Sequence, residues 1–126
     1  MKLVALLAVL VLLACGCGNS SSNDLYSLDK TKACLSKDGV RLGGPLDFVA
    51  TTATGGAVQA HLGTNSVTLV FGDTVDKADN INQAYHRFRA KNVGIDDVLR
   101  QQGNAVMLWH AHPSDADIAR ITACLK

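Results

Sequence analysis

The hydrophobic rhythm of the chain changes several times, and each change marks an element. Residues 3–14 form an unbroken apolar run of twelve, preceded by Lys2. A helix that crosses a bilayer needs ~20 such residues, so the run reads as the core of a secretory leader and not as a lasting membrane span. Residues 16–23 hold nothing to bury and read as a flexible tether. A 3.6-residue period then appears. Leu28, Thr31, Cys34 and Leu35 share one face of a helix expected over residues 25–37, capped by Asp24 or Ser27 and ended by Gly39. The same spacing returns near the other end in Ile118, Ile121, Cys124 and Leu125, where Ser114 is the expected N-cap and Asp117 completes a capping-box variant.

Between these helices the pattern switches to period two. Val40 and Leu42 flank Arg41 in a short strand stopped by Gly43-Gly44-Pro45. Residues 46–54 carry Leu46, Val49, Ala50 and Ala53 at helical spacing and predict a short helix, although threonines weaken it. Val58, Ala60 and Leu62 alternate with Gln59 and His61 in a strand, Gly63-Thr64-Asn65-Ser66 turns the chain, and Val67, Leu69 and Phe71 line one side of the next strand. The longest helical pattern covers residues 75–91, with Val75, Ala78, Ile81, Tyr85 and Phe88 as its apolar stripe, and residues 92–94 end it. Asp96 caps a further turn carrying Val98 and Leu99, closed by Gly103-Asn104. Residues 105–111 are almost wholly apolar, as expected of a strand covered on both faces.

These elements predict an α+β domain with a four-stranded antiparallel sheet. Without the outer two helices the order is βαββαβ, which resembles the ferredoxin-like split βαβ sandwich. The main rival is a four-stranded antiparallel sheet under helices in another strand order.

The end of the apolar run, Leu12-Leu13-Ala14-Cys15, resembles the lipobox of bacterial lipoproteins. An ordinary leader wants a small residue where Leu12 stands. The resemblance implies cleavage after Ala14 and attachment of fatty acyl chains such as palmitate to Cys15. The expected organisation is a signal peptide over residues 1–14, a lipidated cysteine and tether over 15–24, and one domain over 25–126. Small exported bacterial lipoproteins of unknown function are similar over the whole chain, with Cys-Leu near the start of the domain and again at its end, and this similarity carries no chemistry.

Charge and cysteine usage narrow the function. Lys and Arg number 12 against 11 acidic residues, and removal of Lys2 with the leader leaves the remainder balanced. Nothing in that balance attracts nucleic acid. In an oxidising compartment Cys34 and Cys124, each on the apolar face of its helix, are expected to form a disulfide between the two helices. A loop of about ninety residues closed in this way restricts the unfolded chain by ~4–5 kcal/mol at most. Cys17 is then a free thiol, an acylated neighbour of Cys15 or a crosslink to another molecule.

His110-Ala111-His112-Pro113 is the motif closest to enzyme chemistry. Residues i and i+2 of a strand point the same way, and two imidazoles are half of a zinc site. The triplet resembles the His-x-His-Pro of the MPN-domain metalloproteases. That family also needs an upstream Glu as general base and a downstream Ser and Asp, whereas this chain has no Glu and places Arg120 about where the Ser would fall. The alternative is a strand end with two half-exposed histidines, and no metal is expected. His61 and His86 read as solvated polar residues. No serine stands in a recognisable triad order, and the glycine pairs lack the following Lys-Ser or Lys-Thr of a phosphate loop. Trp109 is either core, as its apolar strand favours, or exposed with Met107 beside Gln59, His61 and Thr68.

The expectation from sequence is a lipid-anchored domain on the outer face of the cell membrane. It binds a protein or cell-envelope partner and uses neither catalysis nor a cofactor. The rivals are a metal-dependent hydrolase using His110, His112 and Asp115 or Asp117, and an inhibitor or immunity-type lipoprotein.

Overall fold

The computed structural model describes residues 25–88 and 94–126. Cys15, Cys17, the leader and the tether lie outside them, as do residues 89–93, on which the expected last turn of the long helix falls. In chain order the elements are α1 (Leu28–Lys37), β1 (Arg41–Leu42), α2 (Phe48–Thr51), β2 (Ala57–Leu62), β3 (Asn65–Phe71), α3 (Val75–Phe88), α4 (Ile95–Val98), β4 (Leu99–Gln102), β5 (Ala105–Trp109) and α5 (Asp115–Ala123). Helix starts follow capping chemistry: the side chains of Ser27, Asp47 and Ser114 accept hydrogen bonds from the backbone N–H groups of Lys30, Ala50 and Asp117. Among the described residues no helix is long and apolar enough to cross a membrane.

The sheet is antiparallel throughout, but it has five strands, ordered β1-β2-β3-β5-β4, where four were expected. The ferredoxin-like arrangement is therefore replaced. A split βαβ unit inserts a strand between the two that its helix connects, whereas here β1 and β2 pair directly, Arg41 opposite His61 and Leu42 opposite Ala60. The additional strand is β4, in which Leu99 leaves the short helix α4 and begins a hairpin with β5 through Gly103 and Asn104. Its sequence, Leu-Arg-Gln-Gln, holds one apolar residue, the buried Leu99, and so shows no apolar alternation.

Both faces of the sheet are covered. On one face Val58, Ala60 and Leu62 are buried, and Leu69 and Val67 of β3 stand opposite both Val58 and Ala60 of β2 and Met107 and Trp109 of β5. Here α1 packs on β1 and β2. A Cβ at Gly56, whose φ is +83°, would lie 2.6 Å from Leu28 of that helix. α5 lies beside α1, joined to it by the Cys34–Cys124 disulfide with its Cα atoms 5.4 Å apart. Arg120 Nε also donates to Asp38 Oδ2 at 3.0 Å. The expected staple between the two outer helices is thus present.

On the opposite face α3 packs on β3, β4 and β5, with α2 against α3 and β3 and α4 against β4 and β5. Coverage on both sides explains why all five residues of β5 are buried. Trp109 is core, with no exposed surface, and shares its face with Met107 and Val67. The register places Gln59 and Thr68 opposite each other, and Thr68 opposite Leu108, on the other face. The reading of Trp109 as core, favoured by its apolar strand, holds, and the alternative that grouped Met107 and Trp109 with Gln59, His61 and Thr68 does not.

Candidate functional site

The α2–α3 side of the sheet carries polar groups where a covered face calls for apolar ones. Ala57, Val70, Val106 and Leu108 fit the helical layer above them, but Gln59 and Thr68 sit in the same surface. Beyond β1 the chain folds back over this region. Gly43 N–H donates to the Gln59 carbonyl at 2.8 Å, and His61 Nε2–H donates to the Gly43 carbonyl at 2.7 Å. Gly44 then passes so close that a Cβ on it would fall 1.9 Å from Gln59 Oε1, and its φ of +137° suits glycine.

Below this loop is a cavity of about 110 Å³ lined by Pro45, Asp47, Gln59, Ser66, Thr68 and His110, together with Leu108 and Trp109. Asp47 is its best-anchored polar group. As N-cap of α2 its Oδ1 accepts from Ala50 N–H at 2.9 Å, and the Tyr85 hydroxyl donates to the same carboxylate, 3.0 Å from both oxygens. Among the described residues no lysine or arginine pairs with it. Gln59 Oε1 is buried without a hydrogen-bond partner, a condition it shares among the described residues only with Trp109 Nε1. Such a group costs about 1–3 kcal/mol.

Asp47 also lines a second, more open cleft of about 220 Å³ with Phe48, Val49, Tyr85 and Phe88. Its rim is aromatic and wet: Phe48 is 76% exposed and Phe88 69% exposed. Sequence periodicity assigned Phe88 to the buried stripe of the long helix, and this is corrected, because the stripe turns off the sheet after Tyr85. A further groove of about 390 Å³ beside the disulfide is lined by Lys37, Asp38 and Arg120, the last two of which are paired with each other.

The histidines do not form one constellation. β5 ends at Trp109, so His110 and His112 lie beyond it and do not share a strand face as expected. His110 N–H donates to the Ser66 carbonyl at 2.8 Å, and the residue lies at the small cavity. His112 Nδ1–H donates to Asp97 Oδ1 at 2.6 Å. The alternative acids Asp115 and Asp117 belong to the first turn of α5. Among the described residues no group of three or more His, Cys, Asp or Glu side chains is arranged to hold a metal ion. His61 is held by the Gly43 carbonyl, and His86 lies 3.8 Å from Asp96.

Sequence reasoning missed Asp47 and Phe48. The usable signal was local: Asp47 stands three residues before Ala50 at the start of a short helical pattern, the N-cap position. The pairing of Asp47 with Tyr85, far along the chain, has no such signal. In comparison with known proteins, no family model matches the chain, and no curated protein or solved structure matches it significantly.

Proposed function

We propose that the protein is a lipid-anchored extracytoplasmic domain that acts by binding a protein or cell-envelope partner. In this reading residues 1–14 are a signal peptide, Cys15 carries the lipid, and residues 16–24 tether the domain to the outer face of the membrane. The carrying observation is the pair of exposed aromatics, Phe48 and Phe88, on the rim of one cleft. Large apolar side chains left in water beside a depression are characteristic of contact surfaces. The metal-dependent hydrolase has less support, since His110 and His112 lie beyond the end of β5 and, among the described residues, no group of three or more His, Cys, Asp or Glu side chains is arranged to hold a metal ion.

A photoreactive amino acid placed at position 48 of the anchored protein in intact cells tests the reading. The expected outcome is a discrete crosslinked adduct that is lost when Phe88→Ser is added. An absence of adducts from position 48, together with unchanged behaviour of Phe88→Ser cells, would count against a partner on this surface.

A further inference from the structure

We propose that the outer surface of the α1–α5 layer rests on anionic lipid headgroups, so that the anchored domain holds α2, α3 and the aromatic cleft away from the membrane. The inference rests on the anchored reading above and adds to it which face meets the lipid.

The place where the chain enters the domain is the first argument. The described residues begin at Leu25, and Ser27 N–H donates to the Lys126 carbonyl. The chain therefore arrives at the end of this layer where α1 starts and α5 has just finished. Asp38, the C-cap of α1, meets Arg120, so the two helices run antiparallel and the layer extends away from that entry. Leu25 itself is 43% exposed, an apolar side chain left in water at the edge nearest the proposed anchor.

Charge is the second argument. Lys30, Lys32 and Lys37 of α1 and Lys126 are all exposed, and among the described residues none of the four is in an ion pair. The acids of this layer do not cancel them. Asp38 is taken by Arg120, and Asp115 and Asp117 lie in the first turn of α5, past the end of α1 that Arg120 meets. Asp29 alone remains beside the lysines. On the other side of the sheet the balance is reversed: among the described residues α3, α4 and the turn before α3 carry Asp73, Asp76, Asp79, Asp96 and Asp97 against Lys77 and Arg87. A phosphate-bearing surface is drawn to the first layer and repelled by the second.

The side chains between the lysines suit a broad charged surface better than a protein. Lys30, Ala33 and Lys37 follow one another at i, i+3 and i+7 along α1, and Ala116, Ala119 and Ala123 repeat that spacing along α5, all of them exposed. Long lysine stems overtop such alanines and bring their ammonium groups to a plane first. The large exposed apolar residues among those described, Leu25, Phe48, Val75 and Phe88, all stand outside α1 and α5. A few lysines hold a free protein only weakly. An anchored domain has already lost its translational freedom, however, and a modest difference between its faces suffices to orient it.

The test uses the full chain, extracted with its anchor in detergent and placed in lipid nanodiscs that contain a trace of gadolinium-chelating lipid. The discs are phosphatidylcholine alone or phosphatidylcholine mixed with phosphatidylglycerol. Paramagnetic broadening of backbone amides is read at Ala33, Ser36 and Ala123 and, on the opposite layer, at Thr51, Asn80 and Gln83. In the mixed discs the first set is expected to broaden more than the second, and in phosphatidylcholine the two sets converge. Lys30→Gln combined with Lys37→Gln should lower the ratio of oriented to freely tumbling domain by roughly 25-fold, about fivefold per lysine. Raised salt should act in the same direction. Both lysines are exposed and unpaired, and native Trp109 emission confirms that the variant is folded.

Equal broadening of the two sets in the mixed discs, or a preference unchanged by the double replacement, would overturn the proposal. Stronger broadening at Phe48, Thr51 and Phe88 would overturn it as well, since the aromatic rim would then be the membrane contact. Failure of the anchored reading has its own signature. A chain that does not stay with phosphatidylcholine discs contradicts the anchor and this proposal together, whereas a chain that stays but shows no face preference in the mixed discs contradicts this proposal alone.

Discussion

Asn104 illustrates how one side chain can hold together parts of the chain that are distant in sequence. It is 2% exposed at the β4–β5 turn. Its Oδ1 accepts from Tyr26 N–H at 2.7 Å, and its Nδ2 donates to the carbonyls of Tyr26 and Gly72 at 3.0 and 2.8 Å. The asparagine thereby ties the segment before α1 to the end of β3 and the hairpin. In sequence it reads only as turn material beside Gly103, because the partners of a buried amide leave no periodic trace. Asn104→Ala would strand two carbonyls and an N–H, and we expect a loss of about 2–4 kcal/mol, measured by denaturant unfolding. Asn104→Asp should also destabilise, since it keeps the acceptor for Tyr26 but turns a carboxylate oxygen toward two carbonyls. An Asn104→Ala protein as stable as the parent would remove this residue from the account. Trp109 sets a different limit: it is fully buried with Nε1 unpartnered, so Trp109→Phe should lose packing without losing a hydrogen bond.

At the scale of elements, the outer helices were the most legible part of the sequence. Their 3.6-residue periods place Leu35 and Ile121 inside with no exposed surface, and bring Cys34 and Cys124 together. Loss of a native disulfide from a small exported domain costs about 2–5 kcal/mol. Cys34→Ala with Cys124→Ala should therefore lower the unfolding midpoint strongly. The fold should survive, because Arg120 still reaches Asp38 and Lys126 N–H still reaches Thr31 Oγ1. Thermal and denaturant unfolding of the double variant would show both effects, and an unchanged midpoint would mean that the bridge contributes nothing. The period-two strands β2 and β3 were equally legible, since each buries one row against the outer helices. What escaped was decided by partners distant in sequence. β4 carries one apolar residue in four and so has no rhythm to read, and strand order depends on which strand meets β3, a question local spacing does not address. The site was legible only in part: Gln59 and His61 were assigned correctly to one side of their strand, but the loop that covers them and Asp47 arrives from elsewhere.

For the molecule as a whole, the sheet order makes β3 and β5 the interior, with β2 and β4 outside them and β1 at one edge. Val67, Leu69, Val70 and Phe71 of β3, and Ala105, Val106 and Trp109 of β5, have no exposed surface. Amide hydrogen exchange should accordingly be slowest in these two strands and fastest in α2, α4 and the two-residue β1. Faster exchange in β5 than in β4 would contradict the sheet order. Stability built in this way is internal to the described residues, and the proposed membrane anchor falls outside them. The segment before α1 is tied to the end of the domain where Ser27 N–H donates to the Lys126 carbonyl. Attachment and folding should therefore separate cleanly. Cys15→Ser is expected to shift the protein from the membrane fraction to the soluble fraction, or to leave it unprocessed, while its unfolding midpoint and its Cys34–Cys124 bridge stay as in the parent. Normal cleavage with undiminished membrane retention would exclude Cys15 as the lipid site. A large fall in the midpoint would show that the tether takes part in the fold.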